Sequence, residues 1–149
     1  MKWFPDTSFL YSAYREQIHS PRADKVMNES ETPLPVSNLL LFEFRNSVRF
    51  QERLFGLDRK KGFSKTEAAG ILRDLQADLS SGALVVVSAD WPDVHRIAEE
   101  LSAKHTSRSG HRFADILHVA TAIHLGAEGF LSFDENQCLL AAEKGMELI

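Results

Sequence analysis

Residues 129–145 read GFLSFDENQCLLAAEKG, a short apolar run, a carboxylate at its end, and a helix-forming stretch closed by glycine. Gly129 to Phe133 has the length and apolar content of a buried strand. Asp134, followed by Glu135, Asn136 and Gln137, has the composition of a capped helix start, and Gly145 supplies a C-terminal stop. The segment is therefore one βα unit, and the same pattern recurs outward from it. Apolar runs stand at Lys2 to Phe4, Leu34 to Ser37, Ala83 to Val87 and, more weakly, Met146 to Ile149. Helical patterns lie between them. This alternation predicts a parallel α/β sheet of four to five strands sandwiched by helices, rather than a bundle or a sandwich.

The helices can be placed from their start and stop signals. Thr7 or Ser8 is expected to cap a helix running to about Glu16, and Ser20-Pro21 to open another through Glu29. Asn38 is expected to cap the helix that carries Glu43. Gly56 to Gly62 is basic and turn-like, and Ser64 with Glu67 forms a capping box for the next helix. These two helices read as a hairpin inserted between strands. Trp91 to His105 is another helix, with Asp90 and Asp93 favouring its N-terminus. Phe113, Ile116, Leu117, Ala120 and Ile123 make an apolar stripe at helical spacing, which Gly126 ends.

With 149 residues and 44% apolar content, the chain is expected to form one domain over residues 1–149 with a real core. A single cysteine, Cys138, excludes an internal disulfide and a cysteine-rich zinc site. The N-terminal MKWFPDTSFL is interrupted too soon to be a signal peptide and no apolar run reaches membrane-span length, so a cytoplasmic protein without a membrane partner is expected. A net charge of −4 argues against coating nucleic acid by charge alone. Basic residues are nevertheless uneven. Arg45, Arg49, Arg53, Arg59, Lys60, Lys61 and Lys65 form one group, and Lys104, Arg108 and Arg112 another. Either can track a phosphate backbone or simply solvate a helix face.

Four acids carry the functional reading. In a doubly wound sheet the carboxyl ends of the strands open onto one crevice. Asp6 and Asp134 both leave strands at that edge. Thr7 and Ser8 can cap the first helix, which frees Asp6 for another task, and their hydroxyls can hold water. Glu43 lies among large apolar groups in SNLLLFEFRNSVRF and needs a partner, for which Arg45, Asn46 and Arg49 are the local choices. Asp115 lies in FADILHVATAI, apolar nearly all round, where a carboxylate needs a cation. That cation is Arg112, one turn earlier, or a metal. Asp134 is also a plain helix cap, and its neighbour Ser132 can orient a water or phosphate. Crowded carboxylates raise one another's pKa unless a cation compensates, and hard oxygen ligands suit Mg²⁺ or Mn²⁺. Such a site polarises a phosphoryl oxygen and activates water, so metal-assisted phosphodiester cleavage is the leading reaction class. The histidines show no metal spacing, and His118 and His124 are expected to pack or to be solvated.

Taken together, DTSFL, the E-x-x-N pair Glu43 and Asn46, R-x-x-D-x-x-H-x-A-x-A from Arg112 to Ala122, and FLSFD before an alanine-rich helix resemble the PIN domain. More narrowly, the chain is similar to VapC-type toxins of bacterial toxin-antitoxin pairs. The likeness covers nearly the whole length. It implies a Mg²⁺- or Mn²⁺-dependent endoribonuclease, with Asp6 and Asp115 as principal metal ligands and Glu43 and Asp134 completing the quartet. Ser132 stands where the family commonly has Thr or Ser. The resemblance also implies an RNA substrate, a homodimer, and a cognate antitoxin that covers the site. The basic loop and hairpin from Arg53 to Ser81 are longer than in small members. The alternative is a PIN-like module that binds RNA or an antitoxin-like partner without cutting.

Overall fold

A computed structural model describes residues 2–149 and contains five strands and seven helices. The strands are β1 (Trp3–Pro5), β2 (Leu34–Val36), β3 (Leu84–Val86), β4 (Gly129–Leu131) and β5 (Glu147–Leu148). The helices are α1 (Thr7–Tyr14), α2 (Ser20–Glu29), α3 (Asn38–Leu57), α4 (Lys65–Ser81), α5 (Trp91–Ser109), α6 (Phe113–His124) and α7 (Glu135–Glu143). All three strand pairings, β1 with β4, β4 with β5 and β2 with β3, are parallel. With β1 lying beside β2, the order is β3-β2-β1-β4-β5. The chain thus moves outward from β1 in one direction and returns to its other side at β4. The reversal point, where open α/β sheets bind ligands, lies between β1 and β4.

The expected parallel sheet is present, with an interruption at the seam between β1 and β2, where no ladder forms. In a parallel strand alternate residues turn their N–H and C=O to opposite neighbours. Asp6 N–H donates to Leu131 of β4, while Leu34 N–H donates to Ala83 and Val36 accepts from Val87 on the β3 side. Trp3 and Pro5 therefore turn toward β2, and Pro35 turns toward β1. Neither proline has an N–H to give, so the seam is held by side-chain packing.

Side chains alternate across the sheet and fill two cores. On one face Phe9, Leu10, Leu40, Phe44 and Leu75 of α1, α3 and α4 pack with Val36 and Leu131. On the other, Val94, Leu101, Val119, Ala122 and Leu140 of α5, α6 and α7 pack with Phe4 and Phe130. Each fully buried Leu or Phe contributes about 1.5–3 kcal/mol before entropy is counted. Gly129 is demanded by packing, since a Cβ there would lie 2.2 Å from the Trp3 ring.

Three cap assignments need correcting. Asp6 itself caps α1, accepting from Phe9 N–H, so neither Thr7 nor Ser8 does. Ser37, rather than Asn38, caps α3 by accepting from Leu40 N–H. Ser64 accepts from Glu67 N–H, but the Glu67 carboxylate reaches Arg15 instead of closing the box. Helix α5 runs past His105 to Ser109, where Gly110 ends it at φ +67°. The α3–α4 hairpin stands between β2 and β3 as anticipated.

Candidate active site

At the carboxyl end of β1 the chain must turn into α1, and Asp6 makes that turn. Its carboxylate is fully buried. Oδ1 accepts from Phe9 N–H (2.9 Å) and Ser8 Oγ (2.7 Å), and Oδ2 accepts from Ser132 Oγ (2.6 Å). Ser132 belongs to the end of β4, so this last bond spans the reversal point of the sheet. Each serine is held from behind: Ser8 Oγ accepts from Phe133 N–H, and Ser132 Oγ from Asp134 N–H. All three donors to Asp6 are neutral. Burial therefore dominates and pushes its carboxyl above the usual range, with the Ser132, Phe9 and Ser8 hydrogen bonds and the nearby His118 acting against it.

Glu43, in the second turn of α3, is placed against α1 and α6. Thr7 Oγ1 donates to its Oε1, and His118 Nε2 stands 3.0 Å from its Oε2. Burial would raise this carboxyl too, but the hydrogen bond and charge of His118, helped by Thr7, win and hold it below the usual range. The other ring nitrogen, His118 Nδ1, is buried without a hydrogen-bond partner. None of the local partners expected for Glu43 is used. Arg45 reaches Gln76, while Asn46 and Arg49 are exposed.

Asp115 lies in the first turn of α6, buried to 8% exposure. Arg112 Nε donates to its Oδ2 (3.1 Å) and Gln137 Nε2 to its Oδ1 (3.2 Å). Asp134 caps α7 by accepting from Gln137 N–H (2.9 Å), so Gln137 ties the third acid to the fourth. The Gln137 carbonyl oxygen is buried and unpartnered. Arg112 gauges the convergence of the group. Its hydrogen bond to Asp115 chiefly raises its pKa, and the charges of Asp134 and Glu43 add to the effect. One exposed guanidinium thus feels three of the four acids.

The four predicted acids therefore gather at one edge, together with Thr7, Ser8, Arg112 and Ser132; Asn46 stays exposed on α3. Sequence reasoning missed two members. His118 was read as packing or surface although it is fully buried against Glu43, and its spacing of three from Asp115 on one helix was the available signal. Gln137, three residues after Asp134, was read only as part of a helix start. His124 was also misread, because its Nδ1 meets Asp93 at 2.7 Å and its Nε2 accepts from Asp90 N–H, fastening α6 to α5. This bond, with Arg96, holds the Asp93 carboxyl below its usual range.

The donors available at this edge are hard carboxylate and hydroxyl oxygens, the set that suits Mg²⁺ or Mn²⁺. A buried carboxylate supported only by neutral donors, as Asp6 is, gains from a cation. Among the described residues no three Asp, Glu, His or Cys side chains form a ready-made cage.

The PIN domain family model matches residues 3–143. The chain belongs to the PIN domain family. No curated protein matches it significantly. Among solved structures, this PIN domain is similar to VapC20 of Mycobacterium tuberculosis, described as a sarcin-ricin loop cleaving toxin, at 16% identity and a TM-score of 0.67, covering 93% of this chain and 94% of that one. FitAcB from Neisseria gonorrhoeae matches at 13% identity and a TM-score of 0.67, over 99% of this chain and 96% of that one. VapBC2 from Rickettsia felis, bound to a DNA fragment from their promoter, matches at 13% identity and a TM-score of 0.64, over 100% and 98%. At these identities the likeness establishes a shared PIN fold. Among the described residues no helix is long and apolar enough to cross a membrane.

Proposed function

We propose that this PIN domain is a Mg²⁺- or Mn²⁺-dependent endoribonuclease, the toxin of a toxin-antitoxin pair. The observation that carries the reading is Asp6, a buried carboxylate with neutral donors only, placed where an open α/β sheet receives its ligand. Asp6 and Asp115 would hold the metal directly, and Glu43 and Asp134 would complete its surroundings. When bound, the cation would lower the pKa of a water and stabilise charge developing on the phosphoryl oxygens.

The chain's own groups supply the rest. Ser8 and Ser132 fix both oxygens of Asp6, so that it meets a ligand in one orientation. His118 keeps Glu43 ionised and aimed, and Gln137 holds Asp115 and the start of α7 in register. Arg112 has a side chain that is 79% exposed, and it offers its remaining guanidinium N–H groups to an incoming phosphate.

The partner reading rests on surface chemistry and on the fold. Phe42 and Phe113, 67% and 77% exposed, flank Glu43 and Asp115 in sequence, and Phe50 and Leu57 continue the exposed apolar residues along α3. Exposed apolar side chains on the helices that carry two of the acids suit a covering partner. Similarity to VapC20 and VapBC2 supports a cognate antitoxin in that role, and a homodimer is proposed with it. The test is cleavage of total cellular RNA by purified protein in Mg²⁺ or Mn²⁺ against EDTA. Discrete metal-dependent fragments, lost in Asp6→Asn and Asp115→Asn, are expected. No cleavage by folded, metal-loaded, partner-free protein would favour a non-catalytic binding module.

A further inference from the structure

From the same edge of the sheet a column of rings rises out of the core. Phe9 is fully buried, and Phe133 stacks against it with centroids 6.2 Å apart and planes 17° apart. His19 then stacks on Phe133 at 4.4 Å and 6°, close to coplanar contact. Phe133 lies between Ser132 and Asp134, and its N–H donates to Ser8 Oγ, which itself donates to Asp6. The column is therefore one hydroxyl away from the buried carboxylate.

His19 gives its ring no evident structural employment beyond this stack. It occupies the N-cap position of α2, yet its side chain makes no capping hydrogen bond. Among the described residues its ring makes no hydrogen bond or ion pair, and the residue is only part-buried. Arg22, one turn along α2, sets its guanidinium 5.6 Å from the Phe133 ring centre. Arg22 is exposed and, among the described residues, has no acidic partner. Through Phe133, which lies between Ser132 and Asp134 and donates its N–H to Ser8 Oγ, this arginine stands beside the carboxylate edge. Arg112, at the N-cap of α6, pairs with Asp115.

We infer that His19, backed by Phe133 and flanked by Arg22, is the subsite that stacks an unpaired base of the RNA next to the cleaved phosphate. The inference rests on the ribonuclease reading and adds to it the residue against which a base of the substrate stacks. A flat ring seated on a rigid aromatic column offers a π-face to any base, and an adjacent guanidinium takes the neighbouring phosphate. A base can reach such a face only when it is out of a duplex, so the subsite selects single-stranded or looped RNA.

The test is fluorescence anisotropy of a labelled short single-stranded RNA on the full chain in EDTA, with a matched oligomer abasic at its central positions. His19→Ala is expected to weaken binding of the normal oligomer roughly tenfold and His19→Phe to restore it. The abasic oligomer should bind parent and His19→Ala alike. Arg22→Gln should weaken both oligomers and flatten the salt dependence. Equal affinity of parent and His19→Ala, with or without a change in melting temperature, would overturn the inference, as would failure of His19→Phe to rescue. RNA cleavage by the parent is scored separately. Cleavage with no His19 effect removes the subsite and keeps the nuclease, whereas a base-dependent His19 effect without cleavage keeps the subsite and removes the nuclease.

Discussion

Asp6 and Glu43 are carboxylates of one site with opposite electrostatics. Asp6 sits at the strand-end half, fully buried, with two serine hydroxyls and one backbone N–H around it. Glu43 sits at the helix half, its side chain 29% exposed, against a buried histidine. Burial raises the first carboxyl, and the histidine lowers the second. The difference teaches how one edge divides its labour. The helix half brings its own partners, with the buried His118 against Glu43 and the Arg112 guanidinium against Asp115. The strand half has neutral donors only, and the proposed metal reading rests on that difference.

The largest effect is expected at the strand half. Asp6→Asn should keep the α1 cap, because Asn caps nearly as well as Asp. RNA cleavage should nevertheless fall by more than about 100-fold, beyond the loss typical of a residue that only supports a metal ligand. Comparing initial cleavage rates with melting temperatures separates the two roles, and a fast, well-folded variant would break the comparison. Next comes the helix half. His118→Ala removes a fully buried ring and strands Glu43, and it should cost about 2–4 kcal/mol in urea unfolding at neutral pH. Gln137→Ala should lower activity about 10-fold by releasing Asp115, with little loss of the fold.

The two carboxyls should also pull stability in opposite directions with pH. Asp6 titrates higher in the folded chain than in the unfolded one, so the folded state keeps a proton the unfolded state has released. Its contribution to stability therefore declines as pH rises from about 4 through the folded pKa. Glu43 titrates lower when folded, so its contribution is present above about 4.3 and is lost as pH falls through the folded pKa. Unfolding of Asp6→Asn and Glu43→Gln at stepped pH should remove one limb each. The smallest effect is expected from Arg112→Gln. Its pair with Asp115 involves an exposed arginine, and stability should change by less than about 1 kcal/mol.

Much of this molecule was legible from local pattern. The five strands and the hairpin followed from short apolar runs and from Ser, Gly and Pro punctuation, because those signals act within a few residues. Asp6 and Asp134 were legible because strand ends in a parallel sheet share one edge, and Glu43 and Asp115 because a carboxylate in an apolar helical segment needs a partner. The partners of those acids were not legible. His118 meets Glu43 across 75 positions and Ser132 meets Asp6 across 126, and no local rule pairs them. Local pattern assigns the α1 cap to Thr7 or Ser8, yet the geometry gives it to Asp6. Pro5 and Pro35 silence the seam between β1 and β2, and only the strand order shows that they face each other's strand.

The central claim is that the strand-end half of the site needs a cation and that Asp6 creates the need. Calorimetric titration of Mn²⁺ into the metal-free chain at pH 8 and pH 5, for the parent and Asp6→Asn, tests it most directly. Saturable binding to the parent, weaker at pH 5 because the ligand must lose its proton, and abolished in Asp6→Asn, is the predicted result. Binding of equal strength to parent and Asp6→Asn at both pH values would contradict it.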